Sequence, residues 1–458
     1  MRERLEGIFG RVSTDAGGAG GDRTENAPKT PAYVVEATRA EQVGELLRLA
    51  NEVRVPVTPR VTGLNIGGLA IPSEGGILLD LRRLDKIEID PDNMVAWIEP
   101  GVTWQQLKVA SAAHGLALGY PLAPPETSVL ACALMDGLST QALSHGSFGD
   151  WVHGVIAYLA DGTRVVTGSA AVSGRPLSRG PLPDLTGMFL NWFGSSGVVV
   201  RLGLMLLPLR PHRCREVIAC ADVESGIRLM RAGARTGLFD DLAGLGWPAP
   251  KWALGLDRLG PRDPGEPELY VMADYGANDR RELRHKRGVL RSLAPVEPIP
   301  VADLVALAPD LAPFAELPAR FSFLLDHEGQ GLSWVGTYGP LERLEEGVRK
   351  GIALMEAQGR PPLVVTRPMK GGHYAVLRFI ERFDRRDPVE TEGVRSLNVA
   401  LGRMLLDLGY VPYKCPAILY EELFARMDPG FRDLMTRLKR AVDPNGILNP
   451  DRWGFSGS

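Results

Sequence analysis

Between two short apolar segments, VPVTPR (residues 55–60) and ILLDL (77–81), lies VTGLNIGGLAIPSEGG, sixteen residues of which five are glycine. Glycines at such density let successive backbone N–H groups turn toward one point, forming a concave nest for phosphate oxygens without a basic side chain. A pyrophosphate is the natural guest. The loop has no GK[ST] ending, and no GxGxxG opens a helix directly after a strand, so neither an ATP-type nor an NAD-type motif is present.

The chain around this loop has 458 residues, enough for two or three domains. Its 53 glycines and 36 prolines suit many tight turns between short elements and do not suit a helical bundle. A formal net charge of −3 supplies no broad basic field, so neither nucleic acid nor an anionic lipid surface is expected as a partner. Apolar runs are too short to span a bilayer, and MRERLEGIFGRV lacks the apolar core of a secretory signal, so a cytoplasmic protein is expected. Cys132, Cys214, Cys220 and Cys415 are scattered, and the seven histidines are isolated; no metal site is expected from their spacing.

Residues 13–31 are polar and glycine-rich, and read as a mobile linker after a short N-terminal helix. AYVVEA then reads as a strand, TRAEQVGELLRLANEV as an amphipathic helix opened by Thr38 with Glu41 three residues on, and VPVTPR as a second strand. KIEID and MVAWIEP pair around the turn at Pro91 to Asn93, TWQQLKVASAAHG is a helix ending at Gly115, and VHGVIAYLADGTRVVTG makes two strands across Asp161-Gly162. VVVRLGLMLLPL is a buried strand. From about Cys214 helices alternate with strands, as in a second α+β domain, and the chain closes on LKRAVDPNGILNP.

The ordered blocks PRVTGLNIGGLAIPSEGGILLDLRRLDKI, AWIEPGVTWQQL, FGDWVHGVIAYLADG, LNWFGSSGVVVRLGLMLLPL and DPNGILNP resemble the FAD-binding fold of the vanillyl-alcohol oxidase and p-cresol methylhydroxylase family. The resemblance implies an α+β chain: an N-terminal helix and linker (1–31), a two-subdomain FAD-binding PCMH-type domain (32–212), an α+β substrate or cap domain (213–405), and a C-terminal segment (406–458) that returns to complete the FAD site. It implies FAD held by Arg60, Val61, Thr62, Gly63, Leu64, Asn65, Gly67 and Gly68 of the glycine loop. Ser128 and Gly137 of PPETSVLACALMDGLST, Gly149 of the FGD turn, Gly197, Val198 and Val199 of GSSGVVV, and Asn449 of the NP pair complete the set. Ala131 and Cys132 stand where the family has a glycine pair.

For catalysis the resemblance places Tyr413 and Lys414, in GYVPYKCPAI, where the phenol-oxidising branch carries a Tyr-Arg pair that holds phenolate. Lysine there keeps the charge and loses the planar fork. RPMKGGHYAVLRFIERFDRRDP puts His373 near the flavin, and Asp136 matches an acidic residue near N5. Ile66 stands in a loop that lacks the branch's further tyrosine, and the His-rich metal motifs of the hydroxy-acid branch are absent. The implied activity is hydride transfer from a small alcohol, phenol-type or hydroxy-acid substrate to flavin N5, in an oligomer with a possible electron-acceptor subunit. Covalent and noncovalent attachment both remain open. The departures at Ile66, Ala131, Cys132 and Lys414 motivate the alternative of a non-catalytic assembly subunit, since fold and activity are separable.

Overall fold

Apolar strands bounded by glycine and proline pair into sheets whose buried faces must be covered, and the order of those sheets places the cleft described below. The computed structural model describes residues 1–64 and 67–455. Tyr33–Glu36, Ile77–Asp80 and Val57–Arg60 form a parallel sheet with Ile77–Asp80 in the middle. The amphipathic helix Ala40–Val53 buries Val43, Leu46, Leu47 and Ala50 against this sheet, together with Leu5 of the first helix. Its start is held by Gln42, whose side-chain oxygen accepts from the N–H groups of Thr38 and Arg39 at 2.8 and 3.0 Å, rather than by the expected Thr38 and Glu41. The amide one residue later reaches both orphan donors, while its NH₂ also donates to Ile8 O.

A five-stranded antiparallel sheet follows, in the order Ile87–Asp90, Val95–Ile98, Val198–Met205, Val152–Tyr158, Arg164–Val166. Trp104, Phe148 and Trp151 fill the layer beneath it, with Val129 and Leu130 of the short helix Val129–Leu134. The hairpins expected around Pro91 and across Asp161-Gly162 are both present.

An eight-stranded sheet holds the rest, ordered Ile299–Pro300, His212–Cys220, Leu269–Ala277, Asp241–Gly246, Leu363–Met369, Tyr374–Asp384, Gln330–Gly339, Val411–Pro412. Side chains alternate across it. Leu242, Val364, Leu377 and Phe379 point to one face, where Val223–Ala234, Leu344–Ala357 and Pro388–Asp407 cover them. Leu245, Val365 and Ile380 point to the other, which faces the cleft described below.

Two segments tie the halves together. The segment 13–31, expected to be a mobile linker, is packed: Asp22, Thr24 and Glu25 are buried, and Ser13 bridges to Val34. Arg23 O accepts from Leu332 N at 2.9 Å, and Arg395 donates to Glu25 O, so a polar sequence is held by backbone hydrogen bonds that its composition did not reveal. At the other end, the residues after Pro429–Val442 return to the parallel sheet. Val57 N donates to Ile447 O and Asn449 N donates to Val57 O, extending the sheet edge by one short bridge.

Candidate active site

A cleft of about 310 Å³ opens between the glycine loop and the apolar face of the eight-stranded sheet. At its outer end the loop behaves as its composition requires: Gly63, Gly67 and Gly68 have φ of 68°, 81° and 72°, a region that side chains rarely adopt. Arg60, Val61, Thr62, Gly63 and Leu64 form the wall, and Asn65 and Ile66 lie outside the described residues. Gly68 N donates to the Asp22 carboxylate at 2.9 Å, so the loop is braced from behind by the N-terminal segment. Two arginines face the same space: Arg60, which donates to Ala19 O, and Arg23, which donates to Leu325 O.

Further along, Gly194, Gly197, Val198 and Val199 continue the wall. A Cβ at Gly194 would lie 2.8 Å from Pro59 Cγ, and one at Gly197 would lie 2.9 Å from a ring carbon of Phe189. Asn449, at φ 37°, donates through its NH₂ to Phe193 O at 2.6 Å, while its buried Oδ1 has no hydrogen-bond partner. Buried acceptors are seldom left so, and this one borders the cleft. Left-handed glycines, two cations and one orphaned acceptor on a long apolar wall suit a dinucleotide cofactor with a pyrophosphate at its middle.

The other candidate cofactor residues divide. Ser128 is on the wall, yet its hydroxyl is engaged as the cap of Val129–Leu134, accepting from Ala131 N and donating to Pro100 O at 2.6 Å. Gly67, Gly68, Gly137 and Gly149 are not among the wall residues. Gly137 sits against Cys132, and Gly149 N donates to Asp136 at 3.1 Å. Ala131 and Cys132 are both on the wall.

The inner end is cationic. Lys414, at φ 50°, and Arg378 both line it, with Arg367 beside them. Arg367 is paired with an acid: one of its terminal nitrogens donates to Asp241 and to Ser139 O at 2.7 Å each. Arg378 has no acidic partner among the described residues; it lies over Trp334 with 4.7 Å between guanidinium and ring centre and donates to the Tyr413 hydroxyl. Burial, with Arg367 nearby, lowers the Arg378 pKa to about 10, and burial likewise pulls Lys414 below its usual range.

Tyr413 is therefore one layer behind the wall. Its ring stacks on Tyr338 at 4.6 Å, in a slot left open by Gly336, where a Cβ would be 2.7 Å from Tyr413 Cε1. Tyr338 in turn donates to Asp136 O at 2.5 Å. The Asp136 carboxyl accepts from Ser147 and from Gly149 N; burial raises its pKa, and it is not on the wall. His373 is exposed after Leu363–Met369 and is likewise off the wall.

The residues that sequence reasoning missed are Arg378, Arg23 and Trp334. Arg378 carried a signal: a lone arginine inside the apolar run AVLRFI, paired across the sheet with Val365 and Gly336. Arg23 carried none, because its position depends on how a polar segment folds back.

Residues 31–168 match the FAD binding domain family. An uncharacterised FAD-linked oxidoreductase of Mycobacterium tuberculosis is 31% identical over 47% of this chain and 46% of its own length, so the matched stretch spans about half of that relative. A D-lactate dehydrogenase of Archaeoglobus fulgidus is 31% identical over 38% of each chain. The flavoprotein subunit of the hydroxylating 4-cresol dehydrogenase of Pseudomonas putida is 25% identical over 94% of this chain and 89% of its own. Substrate-bound p-cresol methylhydroxylase shares the fold with a TM-score of 0.86 at 19% identity, over 99% of this chain and 96% of that one. The 4-ethylphenol oxidase of Gulosibacter chungangensis does so with 0.87 at 18%, over 100% and 97%.

Proposed function

We propose that this chain, which belongs to the FAD-binding vanillyl-alcohol oxidase and p-cresol methylhydroxylase family, oxidises a small alcohol, phenol-type or hydroxy-acid substrate at the inner end of its cleft. The observation that carries the reading is a shared lining: one cleft is bordered by the glycine loop, Asn449, Lys414 and Arg378 together. FAD, when bound, accepts the hydride. The residues of this chain supply orientation and charge.

Arg60, Arg23 and the glycine loop would hold the pyrophosphate of FAD, and Gly194 and Gly197 to Val199 would border the cofactor. Lys414 and Arg378 favour an ionised hydroxyl or acid on the substrate, since two cations in a half-buried site stabilise the anion from which a C–H electron pair departs most easily. Apolar residues such as Leu245, Val365 and Ile380 exclude water from the reacting carbon. Tyr413 and Asp136 position these groups: Tyr413 accepts from Arg378, and Asp136 holds the turn at Gly149. The electrons pass on to an acceptor, for which a protein partner subunit is proposed. Among the described residues no helix is long and apolar enough to cross a membrane.

The test begins with the absorption spectrum of the purified protein before and after acid precipitation, followed by anaerobic bleaching of the flavin with phenols and 2-hydroxy acids. Flavin bands that bleach with a member of either class support the proposal. A protein that takes up FAD and is bleached by neither class overturns it in favour of a non-catalytic assembly subunit.

A further inference from the structure

Two cations, Arg378 and Lys414, line one part of the cleft. Every nearby carboxylate is committed elsewhere. Asp241 is paired with Arg367, and Asp136 is turned to Ser147 and Gly149 N. Asp150 pairs with Lys370. Glu381 is on the opposite face of its strand beside Arg360. Arg378 and Lys414 thus have no ion-pair partner among the described residues, in a half-buried position where an unmatched charge is costly.

The guanidinium of Arg378 is also fixed in orientation. Its face lies over Trp334, one nitrogen donates to Tyr413, and its buried Nε has no hydrogen-bond partner. A plane held by an aromatic ring and a tyrosine, with an N–H still to satisfy, suits a planar two-oxygen acceptor better than a single oxygen atom. Beside it, Trp334, Leu332, Val365 and Ile380 offer an apolar surface.

We infer that Arg378 and Lys414 together form a carboxylate site, so that the substrate is a small carboxylic acid with an aromatic body that rests on Trp334 and the neighbouring strands. The inference rests on the reading of this cleft as the substrate site. It makes Arg378 the specificity-determining residue. A phenol, protonated at neutral pH, brings no negative charge to either cation, whereas a carboxylate is ionised throughout.

The FAD-loaded protein is titrated with benzoate and with benzamide, which share shape and differ in charge, following both the flavin spectrum and tryptophan fluorescence. Benzoate is expected to bind at least about tenfold more tightly than benzamide. Arg378→Gln is expected to abolish that preference, weakening benzoate far more than benzamide. Arg378→Lys, which keeps charge and loses the fork, is expected to retain part of it. Flavin content and thermal midpoint report whether each variant is folded; should Arg378→Gln fail to fold, Arg378→Lys decides. Equal binding of benzoate and benzamide overturns the inference, as does unchanged benzoate affinity in the folded variants. So does displacement of benzoate by sulfate at equal concentration, which would mark a generic anion site. Bleaching by neutral phenols without preference for acids sinks this inference and leaves the oxidoreductase reading intact. Selective benzoate binding without bleaching by any substrate does the reverse.

Discussion

Arg378 and Tyr413 exchange the roles that their sequence context suggests. Tyr413 sits beside Lys414 in the chain, yet the residue that shares the cleft wall with Lys414 is Arg378, and Tyr413 supports it through its hydroxyl oxygen. Tyr413→Phe removes an acceptor and leaves the ring stack, so flavin content should be unchanged while KM rises several-fold more than kcat falls. Steady-state kinetics beside a flavin spectrum checks this; an unchanged KM would remove Tyr413 from the support of Arg378. Gly336 has a related task, since any side chain there enters the space of the tyrosine ring. Gly336→Val is expected to cost about 1–3 kcal/mol by overpacking and to displace the ring. Urea denaturation and the affinity for a bound anion should both report it.

At the scale of an element, the C-terminal helix and the loop after it form a latch. Lys439 is buried, and its ammonium donates to Ser195 O at 2.7 Å, to Leu448 O at 3.0 Å and to Asp443, using all three hydrogens. Asp443 then accepts from Ile447 N and Leu448 N, fixing the turn that delivers Asn449 to the cleft. Lys439→Met leaves Asp443 buried without its cation, a loss of about 3–5 kcal/mol. The variant should unfold at lower urea and release FAD more readily on dilution, which a filtration assay measures.

At the scale of the molecule, the packed N-terminal segment creates a buried acidic pair. Glu381 is 2% exposed, both its oxygens lack hydrogen-bond partners, and Arg360 lies within ion-pair reach at 3.4 Å. Burial, reinforced by Glu25, raises the Glu381 pKa from 4.5 to about 8, the effect of Arg360 being opposite and smaller. Below 4.5 both folded and unfolded chains hold this proton. Between 4.5 and about 8 only the folded chain does, so the unfolded state binds fewer protons and stability falls as pH rises through that window. Glu381→Gln cannot ionise, so its thermal midpoint relative to the parent should climb from pH 4.5 to 8 and level off above. A difference independent of pH would show that Glu381 does not titrate in this way.

The glycine density between two apolar strands, the alternating patterns and the DPNGILNP ending are local properties, and they were legible. A loop of left-handed glycines and the hairpins around Pro91 and Gly162 follow from backbone preferences that act over a few residues, whereas the return of Asn449 was expected from the family resemblance and is made by a long-range bridge to Val57. What the sequence could not supply was direction. Asp136 and Gly137 are neighbours of wall residues but face the turn at Gly149, because a left-handed backbone at Asp136 rotates its carboxyl away. Arg23, which precedes the first strand Tyr33–Glu36, reaches the cleft only because segment 13–31 folds back through single hydrogen bonds to Leu332, Arg395 and Gly68. Pairing Arg378 with Lys414 required the alignment of Tyr374–Asp384 and Gln330–Gly339, which brings residues far apart in sequence onto one face. Local chemistry marked a glycine loop suited to a pyrophosphate, and the ordered blocks along the chain identified the cofactor as FAD; only long-range packing, which sets the face a side chain takes and leaves a charge unmatched, decided which side chains line the cleft beside that loop.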